Sequence, residues 1–317
     1  MMRRWGWAVL LLFAGLVPTR ALAQEEAAPA AAEHGGHDSG QLDIMGHLAD
    51  GHEIEVPYYK PPYFKPVELP RFTPIRIGGL SIDLSPTKHL FFLILGAVVV
   101  GCVFVLTGRA LERTQAQGRT PKGFSGAMEA MALYIRQEVV LPNVGPHGEG
   151  FAPYLLTVFF LILTCNLLGL LPWGATATGN LAVTGALALL AFGVIEIAGM
   201  RALGFAGYMH TIFFLPPGLP TVMKPIILLV MTPIELIGKL AKPFALAVRL
   251  FANMTAGHTV VLALIGLIFT FKSYLVGVAA APAATAIMVL EVFVAFLQAF
   301  VFTLLTAVFI GLMRAEH

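Results

Sequence analysis

Leu240-Ala241-Lys242-Pro243-Phe244-Ala245-Leu246-Ala247-Val248-Arg249-Leu250-Phe251-Ala252-Asn253-Met254-Thr255-Ala256-Gly257-His258 runs on into mostly apolar residues as far as Thr270. Length and hydropathy make the stretch a membrane-crossing helix, yet it carries a guanidinium, Arg249, in its interior. A cation near the middle of a bilayer costs roughly 2.5 to 3.5 kcal/mol even on the gentler insertion scale, so such residues usually face a bundle interior or a watery cavity and mark an ion pathway. Arg249 is therefore the residue that the rest of the chain has to explain.

Composition names the solvent. The chain is 57% hydrophobic and only 12% charged, far from the roughly 25% charged share of soluble domains, so it reads as a polytopic membrane protein. A formal net charge of +2 is too small and too scattered for a nucleic-acid footprint. Cys102 and Cys165 lie in separate apolar segments and have neither metal-ligand nor redox spacing.

The amino terminus has the pattern of an export signal. Arg3 and Arg4 precede an apolar stretch over residues 5–17, then Pro18 and the small-residue site Ala21-Leu22-Ala23. Cleavage after Ala23 is expected, giving a signal peptide over residues 1–23, because the apolar stretch is too short to span a core of roughly 30 Å. Residues 24–84, rich first in Ala, Gly, His and acids and then in Pro, read as a largely irregular extracytoplasmic tail. Its His34, His37, His47 and His52 lack cysteines or a regular helix around them and read as solvated linker residues, with no metal or cofactor implied.

From residue 85 to 317 the chain reads as a membrane domain. A first span covers residues 88–108, and Arg109, Arg113, Arg119 and Lys122 follow it. By the positive-inside rule that cluster is cytoplasmic, which agrees with an exported amino terminus. Over residues 124–141 apolar residues recur at helical spacing (Phe124, Met128, Met131, Ile135, Val139), with Glu129, Arg136 and Gln137 between them. This predicts an amphipathic helix lying on the cytoplasmic surface. Further spans are expected over residues 151–171, ending at Pro172-Trp173, and over residues 181–200 before Arg201. The loop 174–180 between them has no Lys or Arg and suits the outer side.

The remaining hydrophobic stretches are overlong. Residues 222–271 are broken by Pro225, Pro233 and Pro243, and some 45 helical residues would reach about 70 Å, so this helix must tilt, kink or both. The last span, residues 282–313, is also longer than one perpendicular crossing. The expected fold is all-α, with five transmembrane helices, one surface helix and a long inclined hairpin at the C-terminal end. The chain is expected to be a multi-pass protein of a bacterial inner membrane, with its N-terminus outside and its C-terminus in the cytoplasm.

At 100° per residue Asn253 lies about 40° round from Arg249, and Lys242 and Glu235 project within about 40° of it provided Pro243 does not rotate the register. Glu235, Lys239, Lys242, Arg249 and Asn253 thus form one polar flank. His258 points to roughly the opposite side, nearly three turns on, while Glu291 and Gln298, seven apart, share a stripe on the last helix. Two readings stay open for several of these groups. Glu235 and Lys239 form an i, i+4 pair that either neutralises itself at the membrane surface or belongs to a pathway. Lys242 reads as a snorkelling interface lysine, and Glu196 and Asn166 either as packing or locally hydrogen-bonded groups or as members of a transport path. Arg249, Glu291 and His258 form either a buried charge cluster or the functional set.

These residues carry a resemblance. Lys242-Pro243, then Arg249-Leu250-Phe251-Ala252-Asn253-Met254 with Gly257-His258, resembles the signature of subunit a of F-type ATP synthases. Asn166-Leu167-Leu168-Gly169-Leu170-Leu171-Pro172 and the closing Glu291 with Leu297-Gln298-Ala299-Phe300-Val301-Phe302 and Leu304-Leu305 resemble it too, in order and at its spacing, from about residue 85 to the end. The resemblance implies an ion-translocating stator subunit of the membrane sector. Its long tilted hairpin lies against the c-ring, a rotating ring of helical hairpins that each bear an embedded carboxylate; b-type peripheral stalk subunits, the lipid bilayer and H+ or Na+ complete the implied partners. Arg249 matches the essential arginine facing the ring. Asn253, His258, Glu291 and Gln298 match the outer aqueous half-channel and Glu235 the inner one. The chain resembles members with an exchanged pair, His258 and Glu291, and has Gly169 where some members carry an acid.

A guanidinium with a pKa above about 12 cannot relay protons but attracts a carboxylate and favours its ionised form. The resemblance thus implies that Arg249 is an electrostatic gate, at which a ring carboxylate loses a proton to one half-channel before being reprotonated from the other. The chain has no GxxxxGK[ST] motif, so ATP chemistry belongs to another chain. A secondary ion transporter with an intramembrane Arg/Glu/His site is the alternative, but the internal repeats common in that class are not found here. A non-transporting membrane scaffold with a metal-sensing tail is a third reading.

Overall fold

The computed structural model describes residues 50–57, 64–72, 75–77, 80–82, 85–171, 174–213, 220, 223–271 and 273–315. The export signal, most of the tail with His34, His37 and His47, Pro172-Trp173 and Lys272 lie outside the described residues. The tail expected to be largely irregular contains two short antiparallel ribbons. One pairs β1 (Glu53–Pro57) with β2 (Phe64–Glu68), and the other pairs β3 (Ile75–Ile77) with β4 (Leu80–Ile82).

The rest is helical: α1 (Lys88–Ala116), α2 (Gly123–Tyr134), α3 (Leu141–Val144), α4 (Ala152–Gly169), α5 (Leu181–Ile212), α6 (Lys224–Phe271) and α7 (Tyr274–Ala315). Five segments, drawn from α1 and α4 to α7, are long and apolar enough to cross a membrane, as expected. Their ends are set locally. The Thr87 hydroxyl accepts from the Leu90 amide to start α1, and the Asn180 side chain accepts from the Ala182 amide at 2.8 Å to start α5. Gly145, at φ 81°, ends α3.

Several boundaries differ from the sequence expectation. α1 continues past Arg109 and Arg113, since nothing stops a helix whose basic side chains reach the aqueous end. α5 continues to Ile212 through a kink at Gly204, whose φ of 70° and ψ of 167° only glycine adopts readily. α7 begins at Tyr274, eight residues before the expected start, and takes Pro282 into its interior. Proline lacks the amide that would bond the preceding turn, but membrane helices tolerate this defect. The same holds for Pro233 and Pro243 within α6. The surface helix is not uniform: α2 passes into a π-helical stretch, Ile135–Val140, before α3. Ile135, Val139 and Val140 are buried in the core while Phe124 at the other end stays exposed.

α4 is buried nearly all round. It packs against α1 and α7, while α5 and α6 pack on each other and on α7. At one end the Arg314 guanidinium donates to the carbonyls of Val144 (2.8 Å) and Pro146 (2.6 Å), tying α7 to the end of α3. The opposite end gathers the first turn of α1 and the loop carrying Thr176. These are called below the Arg314 end and the Lys88 end.

Candidate functional site

The α6–α7 hairpin is in register where Glu291 meets Gly257. The Glu291 carboxylate lies directly on the Gly257 backbone, so even a methyl group at Gly257 would collide with it. Glu291 is 8% exposed. Gln298, seven residues and about 10.5 Å further along α7, is buried at 4%. Its antiparallel register therefore brings it near the level of Leu250, next to Arg249. His258 is part-buried beside Gly257. The two α7 residues and His258 thus form an interior set along the hairpin.

A second set is exposed. Arg249, Asn253 and Glu235 all lie on the accessible surface of α6. Around Arg249 the exposed positions at three- and four-residue spacing are, besides Asn253, Gly238, Ala241, Ala245, Ala252 and Ala256, all small. The guanidinium stands at the centre of a stripe with almost no other side-chain bulk.

The single polar flank expected on α6 does not hold together. Lys239, 5% exposed, turns into the bundle instead of pairing with Glu235. Its Nζ lies 3.9 Å from Glu196 Oε2 on α5, donates to the Thr211 hydroxyl at 3.1 Å and sits 4.5 Å over the Tyr208 ring. The Tyr208 hydroxyl donates to Glu196 as well. Lys239 is about 80° round from Arg249, enough to aim it at α5 while Arg249 points out. Lys242 lies 5.1 Å over the Phe309 ring of α7, a half-buried position against the hairpin.

Asn166 has a structural task, in keeping with the hydrogen-bonding reading. Fully buried on α4, it donates to the Ala295 carbonyl of α7 at 3.3 Å and accepts from the Thr178 hydroxyl at 2.6 Å. One amide therefore ties α4, α7 and the 174–180 loop together. Gly169 faces Thr176 so closely that any side chain there would collide with it, which leaves no room for the acid of some relatives.

One polar residue escaped the sequence reading. His89, in the first turn of α1, is buried, with Nδ1 3.0 Å from the Thr176 carbonyl and Nε2 4.0 Å from Asp50 Oδ1 of the tail. It lines a small cavity together with Thr176, Thr255 and His258. In sequence it resembled the polar start of a span, and its partner Thr176 is 87 positions away. Among the described residues no three His, Cys, Asp or Glu side chains are grouped to hold a metal ion.

Five membrane-length helices, a polar hairpin and a lone guanidinium on its open face define an all-α, multi-pass membrane protein built around charged groups within its spans. The model of the ATP synthase A chain family matches residues 90–311. The chain is 44% identical over 312 residues to ATP synthase subunit a 2 of Prosthecochloris aestuarii, covering 97% of this chain and 91% of that one. It is 44% identical over 288 residues to ATP synthase subunit a of a Chlorobium phaeobacteroides strain (90% and 79%) and 41% identical over 281 residues to that of Chloroherpeton thalassium (89% and 79%). The chain belongs to the ATP synthase A chain family, and so to the ion-translocating membrane sector of the ATP synthase complex.

Proposed function

We propose that this chain is the stator against which a c-ring turns, with Arg249 as the gate between two half-channels. The observation that carries the reading is the exposed small-residue stripe on α6. Gly238, Ala241, Ala245, Ala252 and Ala256 allow a partner helix to approach closely, and Arg249 is the one cation within that contact. A carboxylate arriving there from a partner meets a fixed positive charge in a medium of low dielectric, where attraction between ions is strong. It ionises, its proton leaves by one path, and it is reprotonated from the other as the ring moves on.

The buried polar set supplies the first path. Glu291, Gln298 and His258 line the interior of the hairpin from the Lys88 end towards the level of Arg249, with Asn253 beside them on the open face. Glu235, about fourteen residues towards the Arg314 end, marks the second. The ion is H+, although Na+ would use the same gate, and b-type stalk subunits hold the stator still. Each elementary charge crossing 100 mV releases about 2.3 kcal/mol, so several charges are needed per ATP made on other subunits. The secondary-transporter reading has no comparable observation in its favour.

The deciding experiment replaces Arg249 in the whole synthase. Arg249→Ala is expected to abolish ATP synthesis and ATP-driven ion pumping while the complex assembles. Arg249→Lys is expected to restore little, because an ammonium lacks the planar fork. An assembled Arg249→Ala complex pumping at the parental rate would sink the proposal.

A further inference from the structure

At the Lys88 end, α1, the 174–180 loop and α6 line a half-open cavity of about 20 Å³. A water molecule needs roughly 10 to 15 Å³ on the same measure. The polar walls are His89, Thr176, Thr255 and His258. The hydroxyls of Thr176 and Thr255 are buried with no hydrogen-bond partner in the protein, and Thr176 is only 6% exposed. A buried hydroxyl left without a partner is unfavourable and is usually satisfied by water. Two residues with such groups line one water-sized space beside two imidazoles, a site for a water molecule.

The far side of His89 leads outward. Its Nε2 faces Asp50, whose side chain is 27% exposed and is held by the Asn180 amide at 3.0 Å. Its Nδ1 faces the Thr176 carbonyl, which can only accept, so the neutral ring carries its proton on Nδ1. Titratable and charged groups meet at this corner from every side. Asp50 and His52 come from the tail, Lys88 from α1, His258 from α6, and Glu291, one residue away at Gly257, from α7.

We propose that Asp50 and His89 form the outer mouth of the proton path, and that a water held by Thr176 and Thr255 hands protons from His89 to His258. The inference rests on the half-channel reading above and extends it to residues outside the hairpin. A proton enters on Nε2 from the Asp50 side and gives an imidazolium facing a carboxylate. The ring then turns about its Cβ–Cγ bond and releases that Nε2 proton to the water, which passes one of its own to His258. It turns back with Nδ1 still protonated, so one proton has moved inward and nothing else has changed.

The test uses the complete synthase in liposomes, with ATP synthesis driven by a fixed proton-motive force at several outer pH values. His89→Asn keeps an amide donor where Nδ1 stands, so it holds the Thr176 carbonyl but cannot take up a proton. It is expected to slow synthesis about tenfold at alkaline outer pH, where proton capture limits the rate, and much less at acid pH. Added imidazole should recover part of the loss, which a structural defect would not permit. A parental rate with an unchanged pH profile overturns the proposal. Should His89→Asn fail to assemble, Asp50→Asn removes only the surface carboxylate, and the same alkaline loss is expected of it, with an unchanged profile again overturning the idea. Glu291→Gln in the same liposomes separates the two levels. If it abolishes synthesis while His89→Asn does not slow it, only the mouth is wrong; if it runs at the parental rate, the half-channel reading itself falls.

Discussion

Lys239 and Arg249 are ten residues apart on one helix, and their fates show how little separates a structural cation from a functional one. The Lys239 ammonium is enclosed by Glu196, Tyr208 and Thr211, whereas the Arg249 guanidinium stands on the open face. Breaking a buried pair from one side leaves the other charge stranded, while replacing both members by neutral groups often costs little. Lys239→Met should therefore lower the stability of the assembled subunit by roughly 1 to 3 kcal/mol, since Glu196 keeps the Tyr208 hydroxyl as a donor. The double variant Lys239→Met with Glu196→Gln should recover most of that loss. Thermal unfolding of the purified complex, followed by loss of this subunit from it, measures both; a single and a double variant that unfold together at the parental temperature would remove the clamp from the account.

Among the elements, the kink in α5 is the clearest case of a conformation that one residue permits. Gly204 sits at φ 70° and ψ 167°, a region essentially reserved for glycine, yet a Cβ there would meet no atom within 4 Å. Gly204→Ala thus tests backbone strain without crowding, and the expected cost is about 1 to 3 kcal/mol. It should appear as a lower unfolding temperature, while the amount of folded subunit at low temperature stays near parental. An unaltered unfolding temperature would mean that α5 runs straight through this point. The five spans were legible in the sequence because hydropathy and length report burial in lipid directly. The kink was not, since an isolated glycine in an apolar helix carries no signal of its φ. The start of α7 was hidden because Pro282 reads as a boundary although membrane helices accept it. In the candidate site, Arg249 announced itself by its cost. Glu196–Lys239 and His89–Thr176 join residues 43 and 87 positions apart, and no local pattern encodes such partners.

For the whole molecule the distribution of charge argues an orientation. Arg109, Arg113, Arg119, Lys122, Arg201, Lys224, Lys239, Lys242 and Arg314 all fall towards the Arg314 end, while Lys88 and, in the tail before it, Lys65, Arg71 and Arg76 are described at the other. By the positive-inside rule the Arg314 end is expected in the cytoplasm and, with an odd number of crossings, the tail outside. The expected mature chain begins at Gln24 after removal of residues 1–23, which amino-terminal sequencing of the purified subunit checks. Cysteine labelling checks the rest once Cys102 and Cys165 are replaced. Ala177, in the loop at the Lys88 end, is fully buried and would be silent whichever way the chain lies, so Leu181, exposed at the start of α5, is the better probe. Cysteines at Ser39 and Leu181 should react with an impermeant reagent in intact cells, and one at Gln117, exposed beyond α1, only after the membrane is opened. The reverse pattern would turn the bundle over, and Asp50, His89 and the cavity beside His258 would then open to the cytoplasm, making them the exit of the proton path during synthesis instead of its entrance.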